Sequence, residues 1–389
     1  MAELQALKEQ FVKLYGSEGV GEIHTFHAPG RVNLIGEHTD YNGGYVFPAA
    51  LTFGTTMLIR RRADDQVGFA STNFPLHKHI SINNIAFDPA DDWINYPKGI
   101  ISQLQLGGVN VGGYDILYSG AIPNGSGLSS SASIEVVTAF GLLTMEGQPA
   151  DKVQIALLSQ KAENEFMGVQ CGIMDQFAVA MGKKDHAILL MCDTLEYKHV
   201  PFRSGAYNLV IGNTNKKRGL VDSAYNERRA QCEQAVRDLR AQFPELTLLG
   251  QLTLEQFNEY QHLIKDETVR KRARHVVEEI DRVLQSMKVL EQGNLESFGK
   301  LMIGSHDSLR DLYEVTCLEL DVMVEEALKV PGVLGSRMTG AGFGGCTVSL
   351  VHEDSVTTFI DQVGRVYKEK TGLTADFYVC DIGNGVEEL

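Results

Sequence analysis

The chain has 389 residues, with 35 lysines and arginines against 50 aspartates and glutamates, and a formal net charge of −15. This acidic balance argues against nucleic acid or an anionic membrane as the main partner. The length exceeds what one hydrophobic core usually serves, so we expect two domains. Six widely spaced cysteines without a C-x-x-C pair indicate neither a disulfide framework nor a zinc site, and they predict a cytoplasmic location.

The predicted elements of the first half are a helix and then a series of short strands. Residues 1–16 have an amphipathic helical pattern without the basic start and apolar run of a signal peptide, and no run of about 18 apolar residues predicts a membrane span. Strand-like runs rich in Val, Ile, Tyr, Phe and Thr follow between polar turns. Strands are predicted at 45–50, 55–60, 67–70 and 114–118, and helices at 131–146 and 151–166.

After two more strand-like runs, at 186–191 and 207–211, long helical patterns dominate the sequence. This order predicts an α+β fold of two domains, residues 1–200 and 201–389, rather than a regular βαβ repeat. A return of the strand at 377–381 to the N-terminal domain is the alternative that this boundary leaves open. The later helices are predicted at 220–241, 266–291, 294–306, 318–329 and 354–370, and the later strands at 345–351 and 375–380.

The segment Pro123–Ala132, here named the phosphate loop, predicts an anion site. Its sequence PNGSGLSSSA leads directly into a helical pattern. The free N–H groups and the positive dipole end of a helix N-terminus attract anions, glycine lets the backbone approach a phosphate, and a serine hydroxyl can donate a hydrogen bond or bind Mg²⁺. No Gly-Lys-Ser/Thr ends the loop, so it is not a Walker A motif. A plain turn before a helix is the local alternative.

The segment Ala28–Gly44, here named the signature segment, crowds charged side chains between glycines. Arg31 can hold an anion or lower the pKa of a nearby acid, and the carboxylates of Glu37 and Asp40 can accept hydrogen bonds from the hydroxyls of a polyol. His38 is more typical of a hydrogen-bonding residue than of a metal ligand, because no second histidine lies at ligand spacing. Taken alone, the segment also fits a solvated turn.

Two carboxylates further along the chain suit a phosphate site. Glu163 lies late in the helix predicted over 151–166, and Asp175 follows Gly172 and an apolar pair. One such carboxylate can hold Mg²⁺ and another can act as the base toward a hydroxyl. The local alternatives are a surface charge on a helix for Glu163 and a helix N-cap for Asp175.

Two remaining motifs are ambiguous on their own. The glycine motif Thr339–Cys346 indicates either a close approach of the backbone to another group or a tight turn into the following strand. The basic residues of 213–218 and 225–229 indicate phosphate contacts or a solvated face.

In this order and spacing, the phosphate loop and the glycine motif resemble those of the GHMP small-molecule kinases, and the signature segment is similar to that of the galactokinase family. The resemblance extends from about residue 25 to residue 380. It implies an N-terminal domain like ribosomal protein S5, a ferredoxin-like C-terminal domain, and ligands in the cleft between them. The implied reaction is the phosphorylation of the anomeric hydroxyl of galactose by ATP with Mg²⁺, the first committed step of galactose breakdown, by a monomer.

The resemblance also implies roles for individual residues. Asp175 matches the catalytic base, and Arg31 matches the residue that stabilises the transferred phosphoryl group and keeps Asp175 ionised. Ser131 and Glu163 match the Mg²⁺ ligands. The sugar contacts are matched by Glu37, His38, Thr39, Asp40, Gly172 and Tyr225. The ATP contacts are matched by Gly125, Ser126, Gly127, Leu128, Ser129, Ser130 and Ser131 of the phosphate loop, and by Ser71 and Trp93 on the adenine side.

Two other functions stay open at this point. A kinase for N-acetylgalactosamine, arabinose or galacturonate would share the fold, although the signature segment shows no added room for an N-acetyl group. A sensor that binds sugar and ATP without catalysis belongs to another functional class. Such relatives lose residues of the phosphate loop, whereas residues 127–132 are unbroken here and both Asp175 and Arg31 are present.

Overall fold

The computed structural model describes residues 2–17, 20–123, 126–216 and 221–389. The strands in these ranges form three sheets, on which the helices pack. The strands are β1 (Val20–Asn33), β2 (Tyr45–Val46), β3 (Pro48–Arg61), β4 (Gln66–Ser71), β5 (Lys78–Ser81), β6 (Tyr114–Gly120), β7 (His186–Met191), β8 (Tyr197–Pro201), β9 (Tyr207–Asn213), β10 (Val333–Thr339), β11 (Cys346–His352), β12 (Asp376–Cys380) and β13 (Glu387–Glu388). The helices are α1 (Ala2–Tyr15), α2 (Asn95–Leu106), α3 (Ser130–Met145), α4 (Lys152–Lys161), α5 (Met174–Met181), α6 (Val221–Leu239), α7 (Leu254–Tyr260), α8 (Glu267–Glu291), α9 (Leu295–Ser308), α10 (Leu318–Ala327) and α11 (Val356–Thr371).

The first half is built on a sheet with the strand order β13-β1-β3-β6-β4-β5. Successive side chains of a strand point to opposite faces, and β3 uses both of them. Met57 and Ile59 belong to the core that the sheet shares with α2, α3 and α5, whereas Leu58 packs with Phe11 of α1 on the other face. The sheet is therefore covered by helices on both of its faces, with α2, α3 and α5 on one and α1 on the other.

The second half is built on a sheet with the order β10-β11-β9-β12. Val210 and Val351 of this sheet pack against Phe359 and Tyr367 of α11. The opposite face contributes Val348 to a core that also contains residues of the first half. The shared core joins Leu34 of the signature segment and the nearby Phe47 to Val283, Met302 and Val348 of the second half. The two halves therefore meet through a buried apolar contact beside the signature segment.

The α+β architecture agrees with the prediction, and most predicted elements lie within a few residues of the observed ones. The alternative in which the strand at 377–381 returns to the N-terminal domain is not observed, because β12 pairs with β9 of the second sheet. The return is made instead by β13, which pairs with β1. The predicted boundary near residue 200 falls on β8, which pairs with β7. The division into 1–200 and 201–389 stays a prediction. None of the helices in the described ranges has the length and apolarity needed to cross a membrane.

Candidate active site

A cavity of about 430 Å³ lies where the signature segment, the segment before α5, the start of α6 and the glycine motif meet. This volume lies in the range of small-molecule sites. Seven of the residues predicted from the sequence line it, although they come from parts of the chain more than 190 residues apart. They are Arg31, Glu37, His38, Asp40, Gly172, Asp175 and Tyr225.

Arg31 and Asp175 form a bidentate pair in the wall of this cavity. Nε and Nη2 of Arg31 donate to the two carboxylate oxygens of Asp175, each at 2.8 Å. The hydroxyl of Ser129 donates to Asp175 Oδ2 at 2.6 Å. Arg31 is almost fully buried, whereas about a third of the Asp175 side chain is exposed. Asp175 is therefore oriented by three donors and still reachable from the cavity.

The backbone of β1 positions Arg31. The pairing of β1 with β3 shifts register between Pro29 and Arg31, and such bulges turn a side chain away from the regular alternation. The amide of Arg31 donates to the carbonyl of Leu128 at 3.1 Å, and its Nη1 donates to the carbonyl of Gly127 at 2.7 Å. A Cβ on Gly30 would lie 3.0 Å from the Leu128 carbonyl. Arg31 thus links the phosphate loop to Asp175.

Glu37 is buried and held by donors on both of its oxygens. Asn33 Nδ2 donates to Oε2, and the amide of Gly340 in the glycine motif donates to Oε1 at 2.6 Å. Arg337 Nη1 lies 3.5 Å from Oε1. Burial raises the pKa of Glu37 to about 7, although Arg337 and the Gly340 amide oppose this rise. The glycine motif therefore approaches the signature segment closely, as the first of its two interpretations predicts.

His38 is an uncharged hydrogen-bonding residue among aromatic rings. Its Nδ1 lies 2.9 Å from the Tyr41 hydroxyl, and its Nε2 lies 3.2 Å from the Ala341 carbonyl. Burial lowers the pKa of His38 to about 3, and the neighbouring His275 lowers it further. The ring centroids of Tyr225 and Tyr313 lie 5.7 and 4.8 Å away. Because a carbonyl only accepts, Nε2–H donates to Ala341 and Nδ1 accepts from Tyr41, so His38 is a neutral residue with both ring nitrogens engaged.

Asp40 and Gly172 face each other across the cavity wall. A Cβ on Gly172 would overlap the Asp40 carboxylate, so the glycine makes room for that group. Burial raises the pKa of Asp40 to about 6, and the charge of Asp175 adds to this rise. Thr39 does not line the cavity, and its buried hydroxyl lies 2.9 Å from the carbonyl of Gly36 and 2.7 Å from that of Tyr45, which share its one proton. Its predicted role as a sugar contact stays a prediction.

In the described part of the phosphate loop, the carbonyls of Gly127 and Leu128 accept hydrogen bonds from Arg31. The last residues of the loop form the first turn of α3. Gly125 lies outside the described residues, and Ser126 is buried. Ser129 has a left-handed backbone, with a φ of 64°, directly before α3. Ser130 is exposed and begins α3. The N-terminal end of α3 therefore lies beside Asp175, where its dipole favours an anion.

Glu163 belongs to a buried polar cluster near Ser131. The carboxylate of Glu163 accepts a hydrogen bond from Gln176 Nε2 at 2.6 Å, and the nearby Ser131 hydroxyl lowers the pKa of Glu163. Glu163 lies in a π-helical turn, Ala162–Phe166, that continues α4, and only 8% of it is exposed. The interpretation of Glu163 as a surface charge is therefore wrong. Burial raises its pKa to about 7, and the charge of Asp175 adds to this rise.

These residues fit a magnesium ion that also binds phosphate oxygens. Carboxylate and hydroxyl oxygens are the protein ligands that Mg²⁺ prefers, and it commonly uses one or two of them. Glu135 adds a buried carboxylate whose Oε1 has no hydrogen-bond partner in the described ranges. A cation would offset the unfavourable charge of this cluster. No set of three or more His, Cys, Asp and Glu side chains arranged as a metal site is found in the described ranges.

Trp93 and Ser71 lie apart from the cavity, in the first half. Trp93 is 6% exposed, stacks on Phe74 with ring centroids 6.3 Å apart, and has no partner for its Nε1 in the described ranges. Ser71 ends β4, and its hydroxyl accepts from the amide of Asn73 at 3.1 Å. Their predicted place on the adenine side stays a prediction.

Several residues of the site were missed by the sequence reasoning. Asn33, Gln176 and Arg337 each contact a predicted site residue directly. Asn33 lies in the signature segment, Arg337 lies two positions before the glycine motif, and Gln176 directly follows Asp175, so closeness to a motif is the signal that could identify them. No sequence pattern marks Tyr313 as a site residue, because only the folding of the chain brings it from the second half into contact with His38.

Comparison with known proteins decides the family. Family models match a galactokinase galactose-binding signature over residues 9–61, the N-terminal domain of GHMP kinases over 95–183, and their C-terminal domain over 286–369. A galactokinase of Halalkalibacterium halodurans is 50% identical over 388 residues, which cover 100% of this chain and 98% of the relative. This chain belongs to the galactokinase family.

Further relatives agree with this membership. A galactokinase of Bacillus subtilis is 50% identical over 389 residues, with 99% of each chain covered. The solved galactokinase of Lactococcus lactis, complexed with galactose, is 46% identical with a TM-score of 0.95, and the match covers 99% of this chain and 100% of that one. The mevalonate kinase of Methanococcus jannaschii is 20% identical with a TM-score of 0.69 over 94% of this chain and 100% of that one, a likeness of fold alone.

Proposed function

We propose that this chain transfers the γ-phosphoryl group of ATP to the anomeric hydroxyl of α-D-galactose, giving α-D-galactose 1-phosphate and ADP. The observation that carries the proposal is the pair of Arg31 and Asp175 in a cavity lined by the galactose-binding signature. Three of the relatives named above are galactokinases, and one of these three is solved with galactose bound.

The sugar is held by hydrogen bonds from its hydroxyls. Glu37 and Asp40 present carboxylate oxygens to the cavity, and His38 presents a neutral imidazole. Each carboxylate has about four lone-pair sites, so the existing donors of Glu37 leave capacity for a sugar hydroxyl. Tyr225 supplies an aromatic wall for the apolar face of the ring. These contacts place the anomeric hydroxyl toward Asp175.

The transfer uses Asp175 as base and Arg31 as a fixed positive charge. Asp175 accepts the proton of the anomeric hydroxyl, the sugar oxygen forms a bond to the γ-phosphorus, and the bond from that phosphorus to the β,γ-bridging oxygen breaks to release ADP. Arg31 holds Asp175 through two hydrogen bonds and adds positive charge near the transferred group. Binding both substrates in one cleft removes much of the entropic barrier of a bimolecular step.

The phosphate side of the site is supplied by the loop and by α3. The N-terminal end of α3 favours the negative charge of the phosphates. Ser131 and Glu163 would hold Mg²⁺, which supplies neutralising charge to the phosphate oxygens when bound. We also infer that the chain acts as a monomer, as the resemblance to the galactokinase family implies.

A panel of free sugars tests the substrate. ATP consumption would be measured with Mg²⁺ and galactose, glucose, N-acetylgalactosamine, arabinose or galacturonate. We expect the kcat/KM for glucose and N-acetylgalactosamine to be at least roughly 100-fold below that for galactose, since misplaced hydroxyls leave buried polar groups unpaired. Turnover on another sugar alone would overturn the substrate, and binding of galactose and ATP without turnover would favour the sensor.

A further inference from the structure

Arg337 of β10 is a fully buried cation that does not line the cavity. Its Nη1 donates to the carbonyl of Asn33 at 3.1 Å, and its Nε donates to the hydroxyl of Ser305 at 3.2 Å. The same Nη1 lies 3.5 Å from Glu37 Oε1. Arg337 therefore reaches from the second half into the backbone and the carboxylate of the signature segment.

The neighbours of Arg337 reinforce this contact. Thr339 Oγ1 donates to the same Asn33 carbonyl at 3.0 Å, and the amide of Gly340 donates to Glu37 Oε1. Asn33 in turn donates to Glu37 Oε2. The end of β10 thus fixes both the position of Glu37 and the chain that carries it.

Arg337 also opposes the cost of burying Glu37. A buried carboxylate without a cation takes up a proton, and a protonated Glu37 would present an O–H donor to the cavity in place of an acceptor. Arg337 is the foremost influence that lowers the pKa of Glu37, ahead of the Gly340 amide. Whether Glu37 offers a hydrogen-bond acceptor or a donor to a sugar hydroxyl therefore depends on Arg337, which lies outside the cavity wall.

We propose that Arg337 is a positioning residue for sugar recognition, which holds Glu37 in place as a hydrogen-bond acceptor for one hydroxyl of the sugar. The inference rests on the proposed function, because it concerns recognition at the same cavity. It assigns a specific task to the arginine that precedes the glycine motif. On this proposal, the selectivity between sugars depends on the contact between Arg337 of the second half and Glu37 of the first.

The test compares selectivity toward single hydroxyls. Galactose and its four monodeoxy analogues, at C2, C3, C4 and C6, would be assayed for kcat and KM and for binding by calorimetry. The chains would be the wild type, Glu37→Gln, Arg337→Met, Arg337→Lys and the double variant Glu37→Gln/Arg337→Met. Ser336→Ala is the matched control, because the hydroxyl of Ser336 is buried on the same strand and pairs with Ser349. Circular dichroism and thermal unfolding would establish that each variant folds.

We expect Glu37→Gln to reduce the preference for one hydroxyl by roughly 10- to 100-fold, the range for a hydrogen bond to a charged group. Arg337→Met is expected to lose the preference for that same hydroxyl, Arg337→Lys to retain part of it, and Ser336→Ala to keep it. The double variant is expected to lose no more than Glu37→Gln alone. KM for ATP is expected to stay within about twofold of the wild type, because the effect is confined to the sugar.

A uniform loss across all analogues in the Arg337 variants, or a loss at a different hydroxyl, would overturn the proposal and indicate a purely structural role. If Arg337→Met does not fold, the comparison of Arg337→Lys with Ser336→Ala gives the same decision. Galactose binding without phosphorylation by the wild type would contradict the proposed function, and the calorimetric series would still decide the role of Arg337.

Discussion

Asp175 receives hydrogen bonds from two residues that the sequence places far from it. Arg31 lies 144 positions away and Ser129 lies 46 positions away. All three donors point at the oxygens of the carboxylate, so they hold its side chain in one orientation. A base held in one orientation suits a reaction whose catalysis depends on positioning.

Asp175→Asn is predicted to remove most of the activity and to leave the fold intact. Asparagine has nearly the same shape but cannot accept the proton, so we expect kcat to fall by about 10²- to 10⁴-fold. The measurement is steady-state kcat with galactose and ATP, together with thermal unfolding. Asp361→Asn, on the exposed face of α11, is the control with expected wild-type kcat. A kcat of Asp175→Asn close to that of the wild type would refute the role of the base.

Single residues also show how far sequence reasoning reached. Arg31 and Asp175 were identified through the resemblance, and the structure brings them together as that identification requires. The contact of Ser129 with Asp175 was not predicted, because it depends on a left-handed backbone at Ser129. Glu163 was interpreted locally as a surface charge, because a helical pattern does not show which face another helix covers.

Among the elements, predictability follows the regularity of the pattern. The helix predicted over 266–291 is observed as α8, because its apolar residues repeat at the helical period over many turns. The strand predicted over 186–191 is observed as β7. β1 and β10 were not predicted as strands, because functional residues and glycines interrupt their alternation. The strands that carry Arg31 and Arg337 are therefore among those that the pattern does not predict.

Gly54→Ala is predicted to disturb β1 at the point where it positions Arg31. Gly54 of β3 pairs with Pro29, and a Cβ there would overlap the carbonyl of Ala28, a backbone atom that cannot rotate away. We expect a loss of roughly 1–3 kcal/mol in the free energy of unfolding and a lower kcat. Urea unfolding and steady-state kinetics measure the two effects.

Gly304→Ala provides the control for that substitution. Gly304 lies in α9, and the nearest atom to its added Cβ would be Arg282 Nε at 3.7 Å. We expect this variant to unfold within about 0.5 kcal/mol of the wild type or to be slightly more stable. Equal stability and equal kcat for Gly54→Ala and Gly304→Ala would contradict the role of the β1–β3 contact.

Across the whole molecule, the site depends on contacts between the two halves that a single sequence does not reveal. Glu37, His38 and Tyr41 of the signature segment contact Arg337, Ala341 and Tyr313, about 270 to 300 positions away. Periodicity reports local structure and gives no pairing over such distances. The family resemblance supplied the arrangement of the ligands between two domains, but the residues that join the halves required the structure.

The buried His275 is predicted to lower the stability of the folded protein at acidic pH. It lies in α8, with Nδ1 2.8 Å from the Ser308 hydroxyl and Nε2 3.2 Å from the Glu37 carbonyl. Burial lowers its pKa from 6.5 to about 4. Between these values the unfolded chain binds more protons at this site than the folded chain, so the free energy of unfolding falls as the pH falls from 6.5 to 4. The titration of His275 over this range is expected to lower the free energy of unfolding by on the order of 3 kcal/mol.

Urea unfolding from pH 7 to pH 4 measures this effect. His275→Gln keeps hydrogen-bonding groups but does not titrate, so its free energy of unfolding is expected to depend less steeply on pH than that of the wild type. His38 remains in both chains and contributes to both slopes, because burial lowers its pKa as well. Identical slopes for the two chains would show that His275 is not the buried neutral group that the structure contains.

The most direct measurement is the position of the phosphate in the product formed from galactose and ATP. The ³¹P and ¹H NMR spectra of that product identify the carbon that bears the phosphate and the anomer. The arrangement of Asp175, Arg31 and the signature segment predicts a single organic phosphate whose phosphorus couples to the anomeric proton of α-D-galactose. Phosphate on any other carbon, or release of inorganic phosphate alone, would contradict the proposed transfer to the anomeric hydroxyl.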